Sequence, residues 1–218
     1  MKKTLLFAFC LLLAGTVSAQ QYFFGPRSDY YDNINDFYRP RIGIEGGVSM
    51  SNTSIGAAAN SNFATGSLTG FNVGLTFDLP VTYPITFAPE VLFSEKGYAA
   101  VTNNGNFTQH TDFIDVPLLA KFEVNPMFSL YVGPQFSYLA GLHNNYASGF
   151  AASTESYYTQ TSNYLFFDAV VGASFALAHD VELRARYTID LQQNYSNGNA
   201  FVPSYATHVV QLGLGYKF

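Results

Sequence analysis

Beyond residue 41 apolar and polar residues alternate with a period of two, the spacing of strands whose two faces meet different surroundings. Residues 181–192 show it without a break: Val181, Leu183, Ala185, Tyr187, Ile189 and Leu191 share one face, and Glu182, Arg184, Arg186, Thr188, Asp190 and Gln192 the other. Residues 114–124 repeat it with Asp115, Lys121 and Glu123 on one side. So do residues 71–79, where Asn72, Thr76 and Asp78 share a face, and residues 209–218, where Gln211 and Lys217 do. Segments 42–50, 85–98, 128–139 and 167–177 are richer in glycine or less regular and take the same phase. The pattern predicts eight strands.

The connections add a second regularity. Those after strands 2, 4 and 6 are short (80–84, 125–127 and 178–180) and hold turn-forming residues. Those after strands 1, 3, 5 and 7 are long (51–69, 99–113, 140–163 and 193–205). Long loops gathered at one end are the plan of an antiparallel up-and-down barrel with short periplasmic turns and long extracellular loops. Pro117 and Pro134 fall inside predicted strands, where missing N–H groups suggest bulges.

Which face meets which solvent follows from the charges. Fourteen fall on the polar face: Arg41, Glu45, Asp78, Glu90, Lys96, Asp115, Lys121, Glu123, Asp168, Glu182, Arg184, Arg186, Asp190 and Lys217. Eight acids against six bases suit an enclosed set of ion pairs better than a solvated exterior. The opposite face carries Phe71, Phe77, Phe87, Phe93, Phe122, Phe128, Phe136, Phe175, Tyr216 and Phe218, more aromatic bulk than a narrow core holds. Segments of about ten residues tilted by roughly 45° span a bilayer. The chain therefore reads as an eight-stranded transmembrane β-barrel, apolar face to lipid and charges in the lumen. Composition agrees: of 218 residues only 11% are charged while 17% are aromatic, and the longest apolar run, residues 5–14, falls short of a membrane helix.

The N-terminus has the layout of an export signal: Lys2 and Lys3, then an apolar stretch, then Val17-Ser18-Ala19. Cleavage after Ala19 is expected, removing Cys10, the single cysteine. Eight basic and fifteen acidic residues then remain, a balance that disfavours nucleic acid as a partner. Residues 20–40 form a periplasmic segment before a barrel of residues 41–218. Within it Tyr30, Tyr31, Ile34, Phe37 and Tyr38 fit one face of a short amphipathic helix capped by Ser28, or an aromatic linker.

An eight-stranded barrel is just wide enough inside for its own side chains. The lumen residues Glu45, Asp78, Glu90, Lys96, Asp115, Lys121, Glu123, Asp168, Glu182, Arg184, Arg186, Asp190 and Lys217 thus form either an electrostatic plug or a narrow charged conduit. Catalysis by a barrel needs a histidine near a hydroxyl or carboxylate. His110 with Asp112, and His143 with Ser148, are the pairs the sequence offers, and no nucleophile elbow or metal-ligand cluster accompanies them. No catalytic residue, cofactor or metal is expected. The long loops, rich in Asn, Ser and Tyr, suit surface interaction or plain solvation.

Several motifs in order (residues 87–97, residues 113–122, Leu130-Tyr131-Val132-Gly133-Pro134, Arg184-Ala185-Arg186-Tyr187, and residues 211–218) resemble the PorT-like outer-membrane β-barrel family of Bacteroidetes. The resemblance covers about residues 41–218. It implies an outer-membrane location, lipid as surroundings, and insertion by the barrel-assembly machinery, for which Tyr216 and Phe218 would form the C-terminal signal. It leaves open a structural or surface-interaction role, a narrow porin-like solute or ion channel, and an accessory role in secretion with extracellular or periplasmic protein partners.

Overall fold

β-Branched and aromatic residues on one face and small or charged residues on the other favour extended chain, and strands in an apolar medium are stable only when every edge is paired. The computed structural model describes residues 37–55, 64–102, 105–147, 154–156, 165–191 and 205–218. The expected leader, residues 1–19, and nearly all of the segment 28–38 lie outside them. Nine strands follow in order: β1 (Arg41–Ile55), β2 (Ala64–Thr82), β3 (Ile85–Thr102), β4 (Gly105–Asn125), β5 (Phe128–Ala147), the three-residue β6 (Thr154–Ser156), β7 (Leu165–Ala176), β8 (Val181–Asp190) and β9 (Tyr205–Lys217).

All pairings are antiparallel. The sheet runs β4-β3-β2-β1-β9-β8-β7-β5, and a β4–β5 pairing closes it, so eight strands form the barrel while β6 adds to β5 at His143–Asn145. The first and last barrel strands meet along their length, from Gly43↔Lys217 to Ile55↔Tyr205. Three tight turns gather at one end, residues 83–84, 126–127 and 177–180. In the second of them Asn125 Oδ1 accepts from the N–H groups of Met127 and Phe128, both at 2.9 Å, which gives otherwise orphaned donors a partner.

Several strands are longer than the alternation predicts, β8 stops at Asp190 rather than running on to residue 192, and β6 is not predicted at all. β2 begins seven residues before Phe71, and β4 begins nine before Ile114. The connection expected over 99–113 is almost wholly strand, leaving only residues 103–104 between β3 and β4. The reason is physical. Alternation marks a strand only while its two faces meet different solvents, so it fades where strands continue past the apolar belt.

Pro117 and Pro134 do not mark bulges. The β3–β4, β4–β5 and β5–β7 registers continue unchanged on both sides of them, because an extended strand accepts the proline backbone and the flanking pairs hold alignment. The register shifts lie elsewhere, between Ser67 and Asn72 and between Pro80 and Thr82 in β2–β3, and between Asp112 and Phe113 and between Glu123 and Asn125 in β4–β5. At the first, β1 reaches across β2 to mend the gap. Ser51 Oγ donates to Gly97 O at 2.6 Å and accepts from Gly97 N at 2.9 Å, and Ser49 Oγ donates to Glu95 O at 3.0 Å. Gly70 makes room for this, since a Cβ there would collide with Glu95 O and lie 3.0 Å from Ser49 Oγ.

The two faces separate cleanly. Val132 (58%) and Val210 (54%) are exposed on the outside, as are Phe71, Phe87, Phe93, Phe122, Tyr216 and Phe218, whereas Leu119 on the inside is 0% exposed. An apolar exterior over a polar interior is the inverse of a water-soluble barrel. No helix among the described residues is long and apolar enough to cross a membrane, a statement that does not bear on strands. We predict that the detergent-folded protein shifts in gel mobility between unboiled and boiled samples; a chain that stays soluble and folded without detergent would invert the assignment of faces.

Candidate functional site

Strand alternation sends every second side chain into the lumen, and the long charged ones meet there in three layers. In the central layer, the Arg184 guanidinium on β8 forks between Glu45 of β1 and Glu90 of β3. Arg186 NH2 lies 2.8 Å from Glu45 Oε1 and 2.9 Å from Glu90 Oε2. Asn72 Nδ2 donates to Glu45 Oε1 at 3.3 Å. The four charges cancel, and the guanidinium fork suits this shared recognition of carboxylates.

Nearer the turns, Asp78 pairs with Lys217 and with Lys121 (3.4 Å), and Glu182 lies 3.3 Å from Lys217 and 3.4 Å from Lys121. This layer also balances. On the other side of the centre, Lys96 Nζ sits 2.9 Å from Asp115 Oδ2 and 3.8 Å from Asp168 Oδ2. Asp168 accepts from Ser137 Oγ (2.5 Å) and Gln135 Nε2 (2.8 Å), so neutral donors support the carboxylate that Lys96 serves less closely.

Eleven of the thirteen lumen residues expected from the alternation meet in these layers, ten of them buried and Asp78 partly so. Glu123 and Asp190 occupy lumen-facing positions toward opposite ends of the barrel and are only half-buried. Tyr216 and Phe218 face outward, their rings edge-to-face at 5.2 Å.

Sequence reasoning missed Tyr131. It lies inside, 2% exposed, with its ring 5.1 Å from the Arg184 guanidinium and 6.0 Å from that of Arg186, and its hydroxyl donates to Ala185 O at 3.0 Å. Its register partner is Gly172, and a Cβ at that glycine would lie 2.5 Å from Tyr131 Cζ, so the ring needs a glycine beneath it. The signal was parity, because Tyr131 shares its face with Ser129, Gln135 and Ser137. Ala88, Leu119 and Val170 pack with Tyr131, and Leu92 is buried as well. Apolar bulk and ion pairs thus fill the lumen together. Buried polar atoms without a hydrogen-bond partner (Asn72 Oδ1, Glu90 Oε2, Ser94 Oγ, Arg184 Nε, Arg186 NH1) lie in or beside the central layer. Charge attraction rather than ideal hydrogen-bond geometry therefore carries that layer.

The histidines pair differently from expectation. His110 Nδ1 lies 2.7 Å from Glu95 Oε1, and His143 Nε2 lies 3.7 Å from Asp112 Oδ2. In the register Glu95 lies opposite Asp112 and diagonal to His110, and it is Glu95 rather than Asp112 that pairs with His110; Ser148 lies outside the described residues. Among the described residues no group of three or more His, Cys, Asp or Glu side chains is placed to hold a metal ion.

Residues 32–196 match the model of the outer membrane protein beta-barrel domain, and the chain belongs to that family, whose setting is the bacterial outer membrane. No curated protein matches the chain in sequence. Solved structures similar to it include Neisserial surface protein A, with 14% identity, 81% of this chain and 97% of that one covered, and a TM-score of 0.49. Ail, the attachment invasion locus protein of Yersinia pestis, has 14% identity, coverage of 83% and 99%, and a TM-score of 0.46. OprG from Pseudomonas aeruginosa has 12% identity, coverage of 83% and 97%, and a TM-score of 0.44.

Breaking the central layer strands buried charge, which typically costs about 3–5 kcal/mol. Glu45→Leu, which leaves two guanidinium groups short of an anion, is expected to lower stability by about that much in urea unfolding followed by gel shift or circular dichroism. Glu123→Gln, at a half-buried end position, is expected to change it by less than about 1 kcal/mol.

Proposed function

We propose that the protein is a non-enzymatic barrel of the outer membrane with its lumen held shut, acting through its structure and the surface it presents outside. The observation that carries this reading is the central layer: Arg184 and Arg186 are locked between Glu45 and Glu90 and backed by Tyr131, with none of these five residues more than 4% exposed. A conduit needs mobile or hydrated charges along a continuous path. Here the fixed charges neutralise one another, and bulky Leu92, Leu119 and Tyr131 occupy the space beside them.

In this reading the tight turns face the periplasm and the extended hairpins of β2 to β5 face outward, the usual polarity of such barrels. Export would follow cleavage near Ala19. The barrel-assembly machinery would read the outward ring pair Tyr216 and Phe218 at the closing strand. Within the wider family, the PorT-like branch typical of Bacteroidetes is the assignment that the ordered motifs favour.

Planar-bilayer recording separates this reading from a narrow solute or ion channel. The wild-type protein is expected to show no reproducible unitary conductance, and Arg184→Ala combined with Arg186→Ala is expected to open one if the barrel remains folded by gel shift. Wild-type unitary conductance that disappears when those arginines are neutralised would overturn the closed-lumen reading.

A further inference from the structure

Among the described strand pairs of the barrel, the longest break in register lies between β2 and β3, where the exposed apolar residues of the outer face give way to Glu95. Pairing stops at Ser67↔Tyr98 and resumes at Asn72↔Ser94, so four residues of β2 (68–71) stand opposite three of β3 (95–97). On the lipid side of this seam are the exposed rings of Phe71 and Phe93, their centroids 5.8 Å apart.

Two buried serines of β1 hold the β3 side of the seam from across β2. Ser49 Oγ donates to Glu95 O at 3.0 Å, and Ser51 Oγ both donates to Gly97 O at 2.6 Å and accepts from Gly97 N at 2.9 Å. An antiparallel strand normally offers such an N–H and C=O to its neighbour's backbone. At Gly97 a single hydroxyl takes the place of both partners. That hydroxyl has one proton and two acceptors within reach, because Leu68 O on β2 lies 3.3 Å from Ser51 Oγ. Glycine keeps the crossing clear, since a Cβ at Gly97 would collide with Gln109 O and lie 2.7 Å from Leu68 Cδ2. Between the two anchored residues, Lys96 turns inward, 2.9 Å from Asp115 Oδ2 and 4.7 Å from the centre of the Phe113 ring.

We propose that the β2–β3 seam is a latched side opening in the barrel wall. The Ser49 and Ser51 hydroxyls hold it shut, and on their release it parts toward the outer leaflet, drawing Lys96 away from Asp115 while the central layer stays closed. A backbone ladder opens only when a strand moves, whereas a serine lets go by rotation between staggered χ1 wells. Ser51 loses little by turning, because Leu68 O receives its proton. The groups set free on Gly97 lie at the end of the apolar belt, where headgroups and water replace the hydrocarbon in which they would be costly. The central layer does not share the weakness: Glu45 and Glu90 stand in unbroken pairs, Glu45↔Gly74 and Thr76↔Glu90.

The test is amide hydrogen exchange, followed by NMR, on the full barrel folded in lipid nanodiscs. Val209 is the reference, because it lies at the same height, in register with Ser51 and Thr188. In the wild type Gly97 is expected to exchange at least tenfold faster than Val209. Ser51→Ala is expected to speed Gly97 at least tenfold more, and Ser174→Ala, at a buried serine in the continuous β7–β8 register, to leave it unchanged. A second readout uses Ser94→Cys, at a 0% exposed position beside the seam, in the chain without residues 1–19, which has no cysteine of its own. A maleimide dissolved in the lipid is expected to label it at least tenfold faster when Ser51→Ala is added. Gly97 exchanging no faster than Val209 in the wild type, or Ser94→Cys labelled at one rate with and without Ser51→Ala, overturns the latch.

Discussion

Everything else in this barrel depends on the neutralisation of Arg184 by Glu45 and Glu90. A guanidinium in a narrow lumen behind a lipid-facing wall has little water to solvate it, and burying an unpaired ion costs several kcal/mol. The three residues come from β8, β1 and β3, no two of which are neighbours in the sheet. Backbone hydrogen bonds tie each strand only to the next one round the wall. The arginine ties strands across the diameter, and so couples the closure of the cylinder to the filling of its centre.

That coupling makes demands on residues that carry no charge. Long side chains lie along the inner wall only where the neighbouring strand leaves room. Gly215 on β9 is such a place, since a Cβ there would stand 3.1 Å from Glu182 Cγ and 3.5 Å from Arg184 Cδ. Gly172 does the same for the Tyr131 ring, which in turn lies over the Arg184 and Arg186 guanidinium groups. Among the described lumen residues β5 contributes Tyr131 and no charge, whereas β3, β4 and β7 supply both apolar bulk (Ala88, Leu92, Leu119, Val170) and charge (Glu90, Lys96, Asp115, Lys121, Asp168).

Most of the fold was legible in the sequence because the bilayer imposes a strict alternation where the strands cross it. Within the belt, parity assigned the charged lumen residues from Glu45 to Lys217 to one face. Outside it the same strands continue with both faces in polar surroundings, so the pattern gave no reason to extend β4 back to Gly105 or β5 on to Ala147. Parity also says which side a residue faces and not whom it meets. His110 was set beside Asp112 by proximity in sequence, but its partner proved to be Glu95, diagonal to it on the neighbouring strand. Tyr131 was missed for a related reason: a large aromatic on a polar face contradicts the simple two-solvent rule, and only the glycine opposite it resolves the contradiction.

The same alternation explains why so narrow a barrel carries so many buried charges. Shifting one strand by a single residue relative to its neighbour exchanges its two faces. In β8 that slip would drive Glu182, Arg184 and Arg186 into lipid and bring Leu183, Ala185 and Tyr187 into the lumen against Glu45 and Glu90. An all-apolar lumen would penalise the slip far less, because apolar side chains are tolerated on both faces of a membrane barrel. The ion pairs thus add little net stability over well-packed hydrophobic residues, yet they make the alternative registers expensive. Five buried cations set against six carboxylates are best understood as a device that selects one register from several otherwise similar barrels.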